Sequence, residues 1–355
     1  MEPRADALER IAIVRLSALG DVTLMLPAIE TLQRALPRAQ ITWIIGAAAY
    51  RLLEGYPGVE FIVFDKSRGL RAYGDLRRNL RGRKFDALLA MQASWRANLI
   101  YPLIAAPLKI GFDRARARDG QWLFTNRRIA FAREHLLDSF LAFVGALGVT
   151  ERTIKWNLPL SPDDRAWAAA HLPRAGEPLL AVNPGASKSE REWPAARWIQ
   201  MIRAARERWG AHVVLTGGPG ARERATGEKI MHAGSAGVTN LIGASTPKQL
   251  AAVLEKCDCL AAPDTGPVHL AVAVGTPVVG LYAVAPPQLS GPYHHPELVI
   301  NRFPEAVRTI LERDPDTAAW TTRVHSGEPM HLIRVEEVLD RLAQIFEKEK
   351  TGTPV

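Results

Sequence analysis

The feature that most constrains this chain is a repeated unit: a short apolar run, a turn of small and acidic residues, then apolar residues at helical spacing. Residues 11–14 are such a run, followed by Ser17, Gly20 and Asp21 and by a helical pattern over 25–36. Runs at 41–45, 61–64 and 85–90 continue the series, the last after a basic helical stretch. The same rhythm restarts at 179–182, passes through a helix at 195–209, and reaches a strand at 213–216 that ends in Gly217-Gly218-Pro219-Gly220. A helix over 222–232 follows, then one with its apolar face at Leu250, Val253 and Leu254. A strand at 259–262, a helix at 268–274, a strand at 278–282 and a periodic final helix at 335–350 complete the pattern. Alternation of this kind predicts βαβ units and mostly parallel sheets. Pro159, Pro162, Pro173 and Pro178 mark the connection between the halves. The expected architecture is therefore two similar α/β halves, whose ligands bind beyond the carboxyl ends of the strands.

At 355 residues the chain is long enough for two domains and needs no disulfide or metal staple. Lysine and arginine number 45 against 37 acidic residues, a net charge of +8 that points to a polyanionic partner. The surplus is regional. Residues 65–84 hold eight basic and two acidic side chains (net +6), and 109–128 hold six and two (net +4), leaving the remainder of the chain at −2. Each cluster reads either as a solvated helix face or as the face of an anionic acceptor. Basic residues interleaved with aromatics are missing, as is every DNA-binding motif, so no nucleic-acid partner is expected.

Cys257 and Cys259 alternate inside an apolar run and read as core packing. His294-His295 lacks a spaced carboxylate or cysteine, and no metal site is expected. Residues 1–10 carry no signal-peptide pattern, and the longest apolar stretch, 99–108, contains two prolines and falls short of the roughly 18 residues a span requires. A cytoplasmic protein is the expectation.

Three turns concentrate chemistry at strand ends. In Arg15-Leu16-Ser17-Ala18-Leu19-Gly20-Asp21, Asp21 falls in the first turn of a helix. It reads as a cap or as a general base. In Pro263-Asp264-Thr265-Gly266-Pro267-Val268-His269, Thr265 or Gly266 suits an N-cap and Pro267 the first turn. Such a helix opens with free N–H groups, a site for phosphate, with Asp264 placed for a substrate hydroxyl and His269 near the anion. The alternative is a well-capped core helix. The third turn runs from Asn183 through Gly185, Ser187, Lys188 and Arg191 to Trp193-Pro194, pairing small donors with cations suited to phosphate oxygens. Gly217-Gly218-Pro219-Gly220, with Glu223 in the helix behind it, is a weaker signal that lacks P-loop or dinucleotide spacing.

Taken in order, Arg15 through Asp21 to Pro27-Ala28, Asn183-Pro184-Gly185-Ala186 with Trp193-Pro194, and Asp264-Thr265-Gly266-Pro267-Val268-His269 resemble the ADP-heptose:lipopolysaccharide heptosyltransferases, glycosyltransferase family nine. The likeness covers about residues 10–345 and leans toward the first heptosyltransferase branch. It implies a GT-B architecture, two Rossmann-like domains facing a central cleft: an acceptor domain over 1–160, a connection over 161–178, an ADP-sugar domain over 179–334, and a terminal helix and tail over 335–355 packing back on the first domain.

The activity so implied is inverting, metal-independent transfer of heptose from ADP-L-glycero-D-manno-heptose to the inner core of lipopolysaccharide, Kdo-lipid A or heptosyl-Kdo. Asp21 matches the proposed catalytic base. Asp264, Thr265, Gly266 and His269 match the donor-binding element. Ser187 and Arg191 stand where the first branch carries threonine and lysine, beside Lys188, and Glu223 falls near a glutamate that holds the ribose. The acceptor face would draw on Ser17, Gly20, Lys66, Arg68, Arg71, Arg77, Arg78, Arg81, Gln92, Arg114 and Arg118. ADP-heptose is then a substrate and no cofactor is implied. The partners are the lipopolysaccharide acceptor and the anionic inner-membrane surface, met from the cytoplasmic side by a monomer. The rival readings are a nucleotide-sugar epimerase of the same architecture and a non-enzymatic basic polyanion-binding protein.

Overall fold

The computed structural model of the chain describes residues 7–173 and 176–350, the last three without their side chains. The first six residues of the polar N-terminal stretch and the tail 351–355 lie outside the described residues. The chain divides into two compact units, Met1–Pro159 and Leu160–Val355.

The first unit contains β1 (Arg10–Val14), α1 (Leu19–Ala35), β2 (Gln40–Gly46), α2 (Ala47–Leu53), β3 (Val59–Phe64), α3 (Leu70–Asn79), β4 (Ala87–Leu89), α4 (Trp95–Asn98), β5 (Leu108–Gly111), β6 (Arg127–Arg128) and α5 (Leu136–Gly145). Its six strands pair in the order β3-β2-β1-β4-β5-β6, and every pairing is parallel. The central strands are near-continuous apolar runs because helices cover both faces of such a sheet. Ile11, Ala12, Ile13 and Val14 of β1 are fully buried.

α1 is buried over most of its length and packs on α5. Pro27 sits in its middle, has no N–H, and so deprives the Thr23 carbonyl of its intrahelical donor. The indole Nε1 of Trp156 takes that place, donating to Thr23 O at 3.1 Å. Nearby, Thr153 N donates to Thr31 Oγ1 at 2.9 Å and Asn157 Nδ2 to Glu30 Oε2 at 2.6 Å, so the end of the first unit is stitched along α1.

The second unit contains α6 (Pro162–His171), β7 (Leu179–Val182), α7 (Ala195–Trp209), β8 (His212–Leu215), α8 (Ala221–Ala233), β9 (Val238–Asn240), α9 (Pro247–Leu254), β10 (Cys259–Pro263), α10 (Gly266–Val274), β11 (Val278–Tyr282), α11 (Pro287–Ser290), β12 (Ile300–Asn301), α12 (Phe303–Ile310) and α13 (Val335–Lys350). The strand order is β12-β11-β10-β7-β8-β9. Counted from each unit's first strand, both sheets follow 3-2-1-4-5-6, the doubly wound order of dinucleotide-binding folds. The direction of winding reverses between β1 and β4 in one unit and between β7 and β10 in the other.

Two expectations change in detail. The Pro-rich connection contains α6, capped reciprocally by Ser161 and Asp164 and packed on α9; the expected linker 161–178 therefore includes a helix of the second unit. The final helix, expected to pack back on the first half, gives Val338, Leu342, Ile345 and Phe346 to the second unit's core. Its Phe346 ring lies 5.4 Å from that of Trp209 on α7. Trp193 and Trp198, buried and edge-to-face at 4.9 Å, anchor the same core. Cys257 and Cys259 are buried free thiols, and burial pushes the Cys257 thiol up to about 12.

Candidate active site

In the first unit several candidate residues gather where the sheet reverses. β1 ends at Val14, and the chain turns through Arg15 to Ala18 before α1 begins. Arg15 is buried: its Nη1 donates to Met91 O at 2.7 Å, bridging to the segment beyond β4, and its Nη2 pairs with Asp21 Oδ2. The guanidinium lies 5.3 Å from the centroid of Phe140 on α5. Asp21 Oδ2 also accepts from Ala18 N at 3.0 Å, which closes the first turn of α1. Asp21 closes the helix turn, as the cap reading expects. Oδ2 does the capping and ion pairing, while Oδ1 has no hydrogen bond among the described residues, and the side chain is 30% exposed.

Gln92, expected at an acceptor, has a fixed role: its Oε1 accepts from Leu16 N at 2.6 Å and its backbone carbonyl accepts from the Tyr101 hydroxyl. It fastens the loop after β4 to the loop after β1. Ser17 is exposed beside Asp21, and Gly20 is buried in the first turn.

The basic residues of 65–84 do not gather in one place. In a parallel crossover the helix runs back against the strands. Lys66 and Arg71 therefore stay near the carboxyl end of β3, Arg68 and Arg78 meet at Asp75 part-way along α3, and Arg77 and Arg81 are carried toward the opposite end of β3. There Arg83 Nη1 holds Glu60, the second residue of β3, at 2.6 Å. Arg114 and Arg118 are exposed in the segment after β5, where the Arg114 guanidinium stacks 4.7 Å from the Trp122 ring centroid.

In the second unit the equivalent reversal lies between β7 and β10. Arg191, in the loop after β7, reaches Asp264, just past β10, with Nη1 3.0 Å from Oδ2 and 3.4 Å from the backbone carbonyl. Thr265 is the N-cap of α10, nine residues long, and makes no side-chain cap bond; Pro267 and the buried His269 occupy its first turn. The Tyr282 hydroxyl, at the end of β11, and Arg191 Nε are buried without a hydrogen-bond partner among the described residues. Burial, reinforced by the Asp264 carboxylate and opposed by Arg191, pushes the Tyr282 phenol well above its usual range.

Glu223 fills a space that only glycines leave open. Its Oε2 accepts from Gly218 N at 2.5 Å, and a Cβ on Gly185 or Gly217 would lie 2.6 Å from its Cγ or 2.7 Å from its Oε2. Lys188 and Ser187 are exposed on the same loop, with Lys188 Nζ 3.8 Å from Glu190. Glu192 and Arg222 brace that loop through a 2.7 Å ion pair, and Arg222 Nη2 donates to Ala186 O at 2.7 Å.

Arg15 and Tyr282 are missed from sequence, yet each has a signal there: a charged or polar side chain closing a fully apolar strand beside a chemical turn. Among the described residues no group of three or more His, Cys, Asp or Glu side chains is placed to hold a metal. His295 faces Glu297 at 3.1 Å.

Known proteins match this chain in sequence and in fold. The signature of glycosyltransferase family 9 (heptosyltransferase) matches residues 73–309. The lipopolysaccharide core heptosyltransferase OpsX of Haemophilus influenzae is 34% identical over 341 residues, covering 96% of this chain and 98% of its own. The family 9 glycosyl transferase from Veillonella parvula superposes with a TM-score of 0.79 at 21% identity, over 98% of this chain and all (100%) of that one. Escherichia coli heptosyltransferase WaaC, solved with ADP, gives 0.70 at 20% identity over 94% and 99%. Its two doubly wound units are of the GT-B class, and the chain belongs to glycosyltransferase family 9, the heptosyltransferases.

Proposed function

We propose that this glycosyltransferase moves heptose from ADP-L-glycero-D-manno-heptose to the inner core of lipopolysaccharide, with inversion and without a metal. The observation that carries the reading is the buried polar group at the start of α10: the Arg191–Asp264 pair with the unpartnered Tyr282 hydroxyl and Arg191 Nε. Unpartnered polar atoms in a protein interior are costly and call for an explanation, which here is a ligand that supplies the missing partner. A diphosphate answers both donors, and the first-turn N–H groups and positive end of α10 favour it further. Lys188 and Ser187 lie on the same loop, and Glu223 in its glycine-lined niche suits a ribose hydroxyl. This is the part of the chemistry that a divalent cation supplies in other transferases.

The first unit contributes the base. Asp21 takes the proton of the acceptor hydroxyl on Oδ1 while Oδ2 stays anchored to Arg15 and Ala18 N. The hydroxyl oxygen bonds to the anomeric carbon as the bond to the diphosphate breaks, ADP departs with the electron pair, and configuration inverts. Arg15 holds the carboxylate in aim and does not touch substrate. Lys66, Arg68, Arg71, Arg114 and Arg118 meet the phosphorylated sugar, while Arg77, Arg78 and Arg81 contribute longer-range attraction. The acceptor is Kdo-lipid A or heptosyl-Kdo, and the enzyme works as a monomer at the cytoplasmic face of the inner membrane.

The deciding experiment offers ADP-heptose with defined truncated acceptors, in EDTA, and identifies products by mass and anomeric configuration. A heptosylated product of inverted configuration is expected. Epimerised nucleotide sugar, or turnover only after metal is restored, would overturn the reading.

A further inference from the structure

The exposed large hydrophobic side chains of the described chain are all in the first unit: Val63, Leu70, Trp95, Leu99, Leu123 and Phe131. Four of them are more than half exposed, Leu70 at 86%, Leu123 at 74%, Trp95 at 61% and Phe131 at 51%. Scattered singly, such residues need no explanation. These four are not scattered. Leu70 follows β3, Trp95 follows β4, Leu123 lies between β5 and β6, and Phe131 follows β6, so each stands on a different connecting segment; β4, β5 and β6 are neighbours in the sheet, and β3 lies at the other edge beyond β1 and β2.

Hydrogen bonds join those segments into one rim. The Tyr73 hydroxyl of α3 donates to Arg96 O at 3.2 Å. Trp95 N donates to Asp119 Oδ2 at 2.7 Å and Asn98 Nδ2 to Asp119 O at 2.8 Å, tying α4 to the turn before Leu123. Arg116 Nη2 donates to Ala130 O at 2.6 Å, and its guanidinium lies 5.8 Å from the Phe131 ring. The same segments expose Lys66, Arg71, Arg96, Arg114, Arg118 and Arg133.

We infer that this rim docks on an anionic phospholipid bilayer, with Leu70, Trp95, Leu123 and Phe131 entering the headgroup layer and the surrounding cations meeting lipid phosphates. Apolar and aromatic side chains held amid lysine and arginine are what an interface with one oily and one charged side selects. Charge complementarity favours lipid over a second copy of the chain, because a two-fold pairing would set the cations against one another. Insertion supplies a second attachment besides charge, and stable peripheral binding needs two. The inference rests on the reading of the acceptor as a membrane glycolipid and adds the side chains that enter the membrane.

The test uses the full chain and a Leu70→Ser/Trp95→Ser/Leu123→Ser variant that keeps every cation. Flotation with phosphatidylethanolamine–phosphatidylglycerol vesicles and with phosphatidylcholine vesicles, at about 0.15 M salt, measures binding. Wild type is expected on the anionic vesicles only. The variant should bind them about tenfold more weakly, with unchanged thermal unfolding and unchanged turnover of a deacylated, water-soluble acceptor. Brominated lipid should quench wild type more than Trp95→Phe. Absent wild-type binding, binding unaffected by the triple substitution, or a dimer that the substitution dissolves would each overturn the inference. No turnover of the soluble acceptor by wild type, with vesicle binding that still depends on Leu70 and Trp95, would instead sink the glycolipid reading and leave the docking rim standing.

Discussion

Asp21→Asn separates the two duties of the side chain that closes the first turn of α1. Asparagine keeps an oxygen for Ala18 N and is itself a good capping residue, so that bond survives. What is lost in the folded state is the charge assistance to Arg15. Such a bond contributes about 1.5–3 kcal/mol, and the 30% exposure of Asp21 places this one at the low end, about 1–2 kcal/mol. At roughly 2–4 °C per kcal/mol for a domain of this size, the melting point should fall by about 3–6 °C, leaving the enzyme fully folded at room temperature. Chemistry should suffer far more. A positioned general base is worth about 10²–10⁴ in rate, or about 3–5 kcal/mol of barrier. The assay is kcat and KM for heptose transfer, with ADP affinity by calorimetry and unfolding by circular dichroism on the same preparations. A fall in kcat of at least a hundredfold with unchanged ADP affinity is expected. A loss under tenfold, or a rise in KM for the donor as large as the fall in kcat, would refute the base assignment and leave Asp21 a cap.

Trp156→Phe removes the donor that serves Thr23 O and should cost about 1–2 kcal/mol by urea unfolding; in a Pro27→Ala background, where residue 27 regains its N–H, the cost should shrink by about 1 kcal/mol. Equal costs in both backgrounds would show that the indole contributes only packing. Tyr282→Phe should leave stability unchanged or slightly raised, since it deletes a buried hydroxyl that has no partner, yet should weaken ADP binding about tenfold; unchanged calorimetric affinity would remove Tyr282 from the donor site. Arg165 grips Glu255 with Nε–Oε2 at 2.8 Å and Nη2–Oε1 at 3.0 Å, and this hydrogen bonding holds the Glu255 carboxyl below its ordinary value of 4.5. A depressed folded value means the contribution is complete above the ordinary glutamate range and fades as pH falls through the folded value. Because both side chains are partly exposed it should be only about 0.5 kcal/mol. The stability difference between wild type and Glu255→Gln should therefore vanish in acid; a difference that grew there would contradict the sign.

The α/β rhythm of the sequence carries over well because buried parallel strands must be apolar on both faces. The runs at 179–182 and 278–282 and the helix at 195–209 keep their limits as β7, β11 and α7. The edge strands β6, β9 and β12 are two or three residues long, too short for any periodicity to register. The Asp21 turn and the Asp264 turn are legible because helix starts demand particular small and acidic residues. Arg191 is legible as a cation but not as the partner of Asp264, a contact between residues 73 apart in sequence that only the sheet order creates. The basic cluster of 65–84 is legible as charge but not as an arrangement. A charge count has no direction, and α3 runs the chain back along β3, so residues adjacent in the tally spread along the helix while Asp75 draws Arg68 and Arg78 together.

Because Pro27 leaves the Thr23 carbonyl to Trp156, the helix that presents Asp21 is also where the chain leaving the first unit is tied down. Thr153, Trp156 and Asn157 are fastened to Thr31, Thr23 and Glu30 in turn, and the unit ends only two residues later, at Pro159. Any tension in the departing backbone is thus delivered first to α1, at a carbonyl two positions from the carboxylate, and not to a strand of the sheet. The mechanical load of the tether and the aim of the Asp21 carboxylate are borne by one rod.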